Sequence, residues 1–289
     1  MNDTFILMYI VLYVVIGALF LVLALLERRR PARPVEISRR KRWQLNFTML
    51  ATNLVFYLVG PFTAFGTALY AHEQGWGLLP ALAAPLWLAV LVSIPLIDLW
   101  DYTFHRLEHR YTWLWRFHAI HHSDPEMDLS TSIRNHPVEV VLRGAFHSLL
   151  VAAVGAPPLA VLIVLSYTAT TGVFIHANVR IPERWQTWLP YVIYTSSIHG
   201  LHHSIDPQQG QYNFSTTVTF WDRLFGTFRL PDERDRDLCF GVAGFQDQSE
   251  LRYTALLTQA FRMDRIDSAD GGTTPGGRMA TGAEQGARS

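Results

Sequence analysis

His105-Arg106-Leu107-Glu108-His109 and His118-Ala119-Ile120-His121-His122 stand close together in the chain, and His199-Gly200-Leu201-His202-His203 follows far downstream. These three boxes hold eight of the chain's 12 histidines. On a helix, positions i, i+3 and i+4 share a face, so each box can aim its imidazoles at one region. Neutral imidazole is a good ligand for ferrous iron and zinc. One ion takes about four to six ligands, so the boxes predict two metals held by His105, His109, His118, His121, His122, His199, His202 and His203. A single HxxxH pair arises by chance on surface helices, but two HxxHH boxes beside it do not. The first box also fits the inverted zinc-protease pattern H-x-x-E-H, with Glu108 as general base. That pattern uses two histidines and leaves six unexplained. Glu108 is therefore read as an outward residue or as a carboxylate backing a ligand.

Outward from the boxes the chain is apolar. Residues 5–26 carry no charge and are long enough to cross about 30 Å of hydrocarbon at about 1.5 Å per residue. Met1-Asn2-Asp3-Thr4 lacks a basic residue, so the segment reads as a membrane helix, not a signal peptide. Residues 47–71 form a second predicted span and 78–104 a third, which runs into the first box. Residues 138–154 and 159–175 read as a helical hairpin, broken by Gly155-Ala156-Pro157-Pro158. The expected fold is an all-α integral membrane protein with four to five transmembrane helices and a cytoplasmic histidine-rich helical cap. Its expected organisation is an N-terminal membrane helix and basic loop over 1–46, a metal-binding membrane domain over 47–263, and a disordered tail over 264–289, rich in Gly, Thr and Ala.

Composition agrees. Apolar residues make up 49% and charged residues 17%, with mean hydropathy +0.13. A formal net charge of zero offers nothing to a nucleic acid. The lone Cys239 excludes an internal disulfide and a zinc-thiolate site, and reads as an ordinary thiol. Arg28, Arg29, Arg30, Arg33, Arg39, Arg40, Lys41 and Arg42 form a dense positive run between the first two spans. By the positive-inside rule this loop is cytoplasmic. Counting crossings then brings all three boxes to the cytoplasmic side of a multi-pass protein, expected in a bacterial inner membrane.

Carboxylates flank the boxes. Asp98 and Asp101 precede His105 by seven and four positions, so they share its helical face. Each either accepts an imidazole N–H and so fixes a ligand's tautomer, or marks the water interface. Asp101 is the favoured partner. His72 and His147 read as structural. Residues 181–191 are rich in Trp and Tyr, which favour a membrane surface.

The boxes, together with Asp98-Leu99-Trp100-Asp101, Arg134-Asn135-His136-Pro137-Val138-Glu139 and Trp221-Asp222-Arg223-Leu224-Phe225-Gly226-Thr227, resemble the fatty acid hydroxylase superfamily. That superfamily includes sterol desaturases and alkylglycerol monooxygenases, and the resemblance covers residues 98–228. It implies a membrane-bound non-haem di-iron oxygenase using two iron ions, dioxygen and a lipid substrate. Nothing in the chain carries electrons, so they are expected from a separate reductase or carrier protein, and zinc can substitute for iron on overexpression. The family patterns HP-x-E and F-x-H-x-N imply His136 and His176 as further ligands. Residues 221–228 are expected to cap the site, with Asp222 behind a ligand. Gly172 stands where ceramide-hydroxylating relatives carry another histidine, and Asn213-Phe214-Ser215 replaces the common Asn-Tyr-Gly. Hydroxylation, desaturation and ether-lipid cleavage share these boxes. The competing class is a histidine-rich membrane protein that binds zinc structurally or transports metal. Transport predicts ionisable residues within the spans, whereas the boxes follow them.

Overall fold

The computed structural model describes residues 3–59, 63–186, 188–235 and 238–263, so the tail expected to be disordered, 264–289, lies outside the described residues. Among the described residues the chain is helical, with only isolated β-bridges. α1 (Asp3–Arg29) is apolar until its last turn, where Arg28 and Arg29 complement the negative end of the helix dipole. α2 (Arg39–Val59) opens on basic residues, and α3 (Ala64–Gln74) is capped by the Thr63 hydroxyl and ended by left-handed Gly75. The single turn α4 (Leu78–Ala81) leads to α5 (Leu86–Arg110) and α6 (Thr112–His122). α7 (Pro137–Val154) and α8 (Pro158–His176) form the expected hairpin, each with proline in its first turn, where the missing N–H costs nothing.

Among the described residues four helices, α1, α5, α7 and α8, are long and apolar enough to cross a membrane. The span expected over 47–71 is divided between α2 and α3, and neither is among the four. α2 carries Arg42, Asn46 and Asn53, buried against the cap rather than turned to lipid. The two helices nevertheless carry the chain from the cap to the opposite end. At one end Arg42 meets Asp124; at the other Gly77 abuts the α7–α8 turn. A Cβ on Gly77 would lie 2.1 Å from the Gly155 nitrogen, and both residues have positive φ, so only glycine fits this contact.

The core near that turn joins Ala64, Phe65 and Ala68 of α3 to Ile97, Val151 and Val161. Leu7, Val11, Val14 and Leu21 of α1 point outward, the expected surface of a helix facing lipid. At the cap end, α6 is followed by a 3-10 helix over Leu129–Ile133 and, beyond the hairpin, by α9 (Glu183–Gln186), α10 (Ser196–His202), α11 (Phe220–Leu224) and α12 (Tyr253–Gln259). Trp185, Trp188 and Tyr191 lie exposed beside α9.

The basic run divides in two. Arg28, Arg29, Arg30, Arg40 and Lys41 are exposed, whereas Arg42 is fully buried. Its guanidinium binds Asp124 at 2.9 Å and also Asp128, whose carboxylate caps the 3-10 helix. Arg134 completes this knot through the Ile120 carbonyl and Ser123 hydroxyl. The chain leaving the second histidine box is thereby fixed to α2.

Candidate metal centre

The last turns of α5 present His105 and His109, α6 carries the second box, and α10 carries the third with His203 at its C-cap. Their donor atoms converge into two groups. One comprises His105, His109, His118, His122 and His202; the other comprises His121, His176, His199 and His203. Within each, the donor atoms lie within 4.8 Å of one another, and all nine residues are buried. Each HxxHH box is split the same way. His118 and His122, one turn apart, face the five-histidine group while His121 faces the other; His199 and His203 face the four-histidine group while His202 faces the first. The rings of His122 and His203 stack with centroids 4.3 Å apart, so the groups adjoin.

Hydrogen bonds fix which nitrogen keeps its lone pair. His105 Nδ1 donates to the Phe214 carbonyl at 2.5 Å, and His202 Nδ1 to the Tyr212 carbonyl at 2.8 Å. His118 Nδ1 donates to Glu139 at 3.0 Å. A neutral imidazole has one N–H, so the Nε2 atoms of all three are lone pairs. Yet His105 Nε2 lies 3.0 Å from both His118 Nε2 and His202 Nε2. In the second group His176 Nδ1 donates to the Gly172 carbonyl at 2.6 Å, and its Nε2 is 3.1–3.2 Å from Nε2 of His121, His199 and His203. Lone pairs converging without protons repel unless a cation stands among them. Edges of this length around a centre about 2.1 Å from each nitrogen subtend roughly 90–100°, shorter than the ~3.4 Å edge of a tetrahedral zinc site. The residues therefore fit metal ions of higher coordination number.

Burial keeps the cap imidazoles neutral, the form that ligates. Desolvation holds His118, His121, His122, His199 and His203 well below the usual imidazole value, and His202 at about 4.

The carboxylates take other partners than the spacing suggests. Asp101 accepts from Arg143 at 2.8 Å, with His147 and Thr216 each 3.4 Å away, and bonds no imidazole of the boxes. Asp98 accepts from the Thr217 hydroxyl and the Trp221 indole, pinning the segment that enters α11. Asp222 accepts from the backbone N–H groups of Phe214 and Ser215 and from the hydroxyls of Tyr194 and Thr227. It thus fixes the Phe214 carbonyl that orients His105. Glu108 turns to Arg143 at 2.6 Å and lies 3.6 Å from His118 Nδ1, behind the ring rather than beside the ligating nitrogens. A protease-like general base would need the opposite placement.

Glu139 and Arg143 are the residues that spacing did not single out. They lie i, i+4 on α7, and Arg143 gathers Asp101, Glu108 and Glu139 around one guanidinium. Asp101 and Glu108, seven apart on α5, were the available signal.

His136 lies outside both groups, unlike His176. Its Nδ1 caps α7 by accepting from the Val138 N–H, and its Nε2 donates to the Leu257 carbonyl. In the His-Pro-x-Glu stretch it is Glu139 that reaches a box. We expect His136→Ala to leave metal per protein unchanged and to cost about 1 kcal/mol, the usual loss for an N-cap. Metal analysis and thermal unfolding in one detergent check this, and a drop in metal would return His136 to the ligands.

Residues 90–227 match the fatty acid hydroxylase family. The chain is 29% identical over 160 residues to an ornithine lipid hydroxylase of Rhizobium tropici, covering 55% of this chain and 47% of that protein. It is 29% identical over 138 residues to the human alkylglycerol monooxygenase, covering 48% and 30%. Against the rat cholesterol 25-hydroxylase it is 29% identical over 163 residues, covering 56% and 53%. The chain thus spans about half or less of these relatives' lengths. No solved structure matches. The matched segment holds all three boxes and the hairpin between them, and over it the chain is similar to the fatty acid hydroxylase family.

Proposed function

We propose that this chain is a membrane-bound non-haem di-iron oxygenase that hydroxylates a C–H bond of a lipid. The observation that carries the reading is the pair of adjoining imidazole sets, their lone pairs converging at the ends of membrane-spanning helices. Bound iron, with dioxygen and two external electrons, supplies the oxidising power that an unactivated C–H bond requires. The chain's own residues hold the tautomers through Glu139 and the carbonyls of Phe214, Tyr212 and Gly172, and they exclude water by burying every ligand. α5 and α8 bring His105, His109 and His176 directly from the membrane-spanning segments, which favours a substrate that enters from lipid. Relatives named for ornithine lipid, alkylglycerol and cholesterol support the same substrate class. The exposed arginines at the end of α1 lie at the same end as the boxes, which supports a centre on the cytoplasmic face. Electrons come from a separate donor protein.

Membranes supplied with iron, a reductase system and ¹⁸O₂ test the proposal. The expected result is label in a hydroxyl group of extracted lipid, absent without electrons. An alkene formed only with dioxygen, and without label, assigns desaturation instead. No oxygen-dependent change in lipid from an iron-loaded, electron-supplied preparation would sink the oxygenase reading and favour a structural metal site.

A further inference from the structure

We infer that the two metal sites are unequal: the five-histidine group retains its ion, and the four-histidine group gives its ion up readily. This rests on the reading that both groups hold metal. Ligand number is the first difference, five imidazoles against four.

Support of the ligands is the second. Around the five-histidine group, His105, His118 and His202 each donate Nδ1–H to a carbonyl or carboxylate. Around the four-histidine group, among the described residues, only His176 has such a partner. The Nδ1 atoms of His121, His199 and His203 are buried with no hydrogen-bond partner among the described residues, against the single such nitrogen, His109 Nε2, in the five-histidine group. A partner on the far nitrogen orients the ring and makes it more basic, and its loss typically weakens metal binding about 10–100-fold. A buried N–H left unpaired also favours any ring rotation that lets it find a partner, and such rotation breaks the metal bond.

Charge is the third difference. Glu139 and Glu108 stand 3.0 and 3.6 Å from His118 Nδ1, and the cluster of Asp101, Glu108 and Glu139 carries more carboxylates than the one guanidinium of Arg143 balances. Carboxylate oxygens therefore stand directly behind a ligand of the five-histidine group. The partner of His176 is a neutral carbonyl. All three differences point the same way, and Glu139 is the residue that positions His118 for the tighter site.

The test uses the purified full-length chain in detergent, loaded anaerobically with ferrous ion and then exposed to excess soluble ferrous chelator. Metal per chain is followed in time. We expect two phases at least about 10-fold apart in rate, with a plateau near one ion per chain. Glu139→Gln should speed the slow phase about 10–100-fold and leave the fast phase unchanged. Loss of both ions in one phase from the unaltered protein overturns the inference, whatever the variant does. Acceleration of the fast phase alone by Glu139→Gln overturns it too. A chain that takes up no ferrous ion would instead remove the metal-centre reading on which the inference stands.

Discussion

His202→Ala is expected to reduce turnover to background, a loss of more than about 100-fold, and to lower iron from two ions per chain to one at most. The size follows from where this ring sits. Its Nε2 is 3.0 Å from His105 Nε2, while its Nδ1 is already held by the Tyr212 carbonyl. Removing it takes a ligand from the better-supported group and opens a buried space beside His105 and His109, whose rings lie 4.6 Å from it between centroids. Losing a partner behind a ligand usually costs about 10–100-fold, and losing the ligand itself must exceed that. Metal per chain and lipid product, measured on the same preparation, decide it. A variant that keeps two ions and turns over would show that the three boxes do not form one centre.

Arg143→Met is expected to be strongly destabilising, by about 3–5 kcal/mol, with loss of iron following loss of fold. The guanidinium binds Asp101 at 2.8 Å and Glu108 at 2.6 Å, and Glu139 lies 3.6 Å away. The Glu108 and Glu139 side chains are only 1% and 3% exposed, so neither carboxylate can turn to water when the cation goes. Arg143→Lys keeps the charge but not the fork, and should recover part of the loss. The partly exposed Arg262–Glu250 pair is the contrast: Arg262→Ala should cost about 1 kcal/mol or less. Thermal unfolding of the three variants in one detergent checks the order. Arg143→Met melting like the unaltered protein would mean the carboxylates are protonated and need no cation.

Much of this arrangement was legible because two periodicities are strong. The 3.6-residue repeat made each box a one-sided donor set, and long apolar runs marked α1, α5, α7 and α8. The split of each HxxHH box between two centres was not legible, since spacing places His118, His121 and His122 on one broad face without dividing it. Asp101 misled for a related reason. Sharing the face of His105 allows contact, but the α7 residue Arg143 is a stronger partner, and helix packing decides between them. His136 likewise sits where a ligand would be expected in sequence, yet starting α7 with Pro137 makes it a cap. Arg42 read as one more cytoplasmic charge, because nothing local reveals that Asp124 and Asp128 will fold back onto it. The broken span across α2 and α3 hid behind average hydropathy, where Asn46 and Asn53 pass as minor interruptions.

Iron content combined with iron-edge X-ray absorption on the full-length protein, purified anaerobically under reducing conditions, tests the central claim most directly. The account predicts two irons per chain in a shell dominated by imidazole nitrogen at about 2.1 Å, with nine imidazoles shared between the two ions. One ion per chain at full loading, or a shell dominated by carboxylate oxygen, would contradict it.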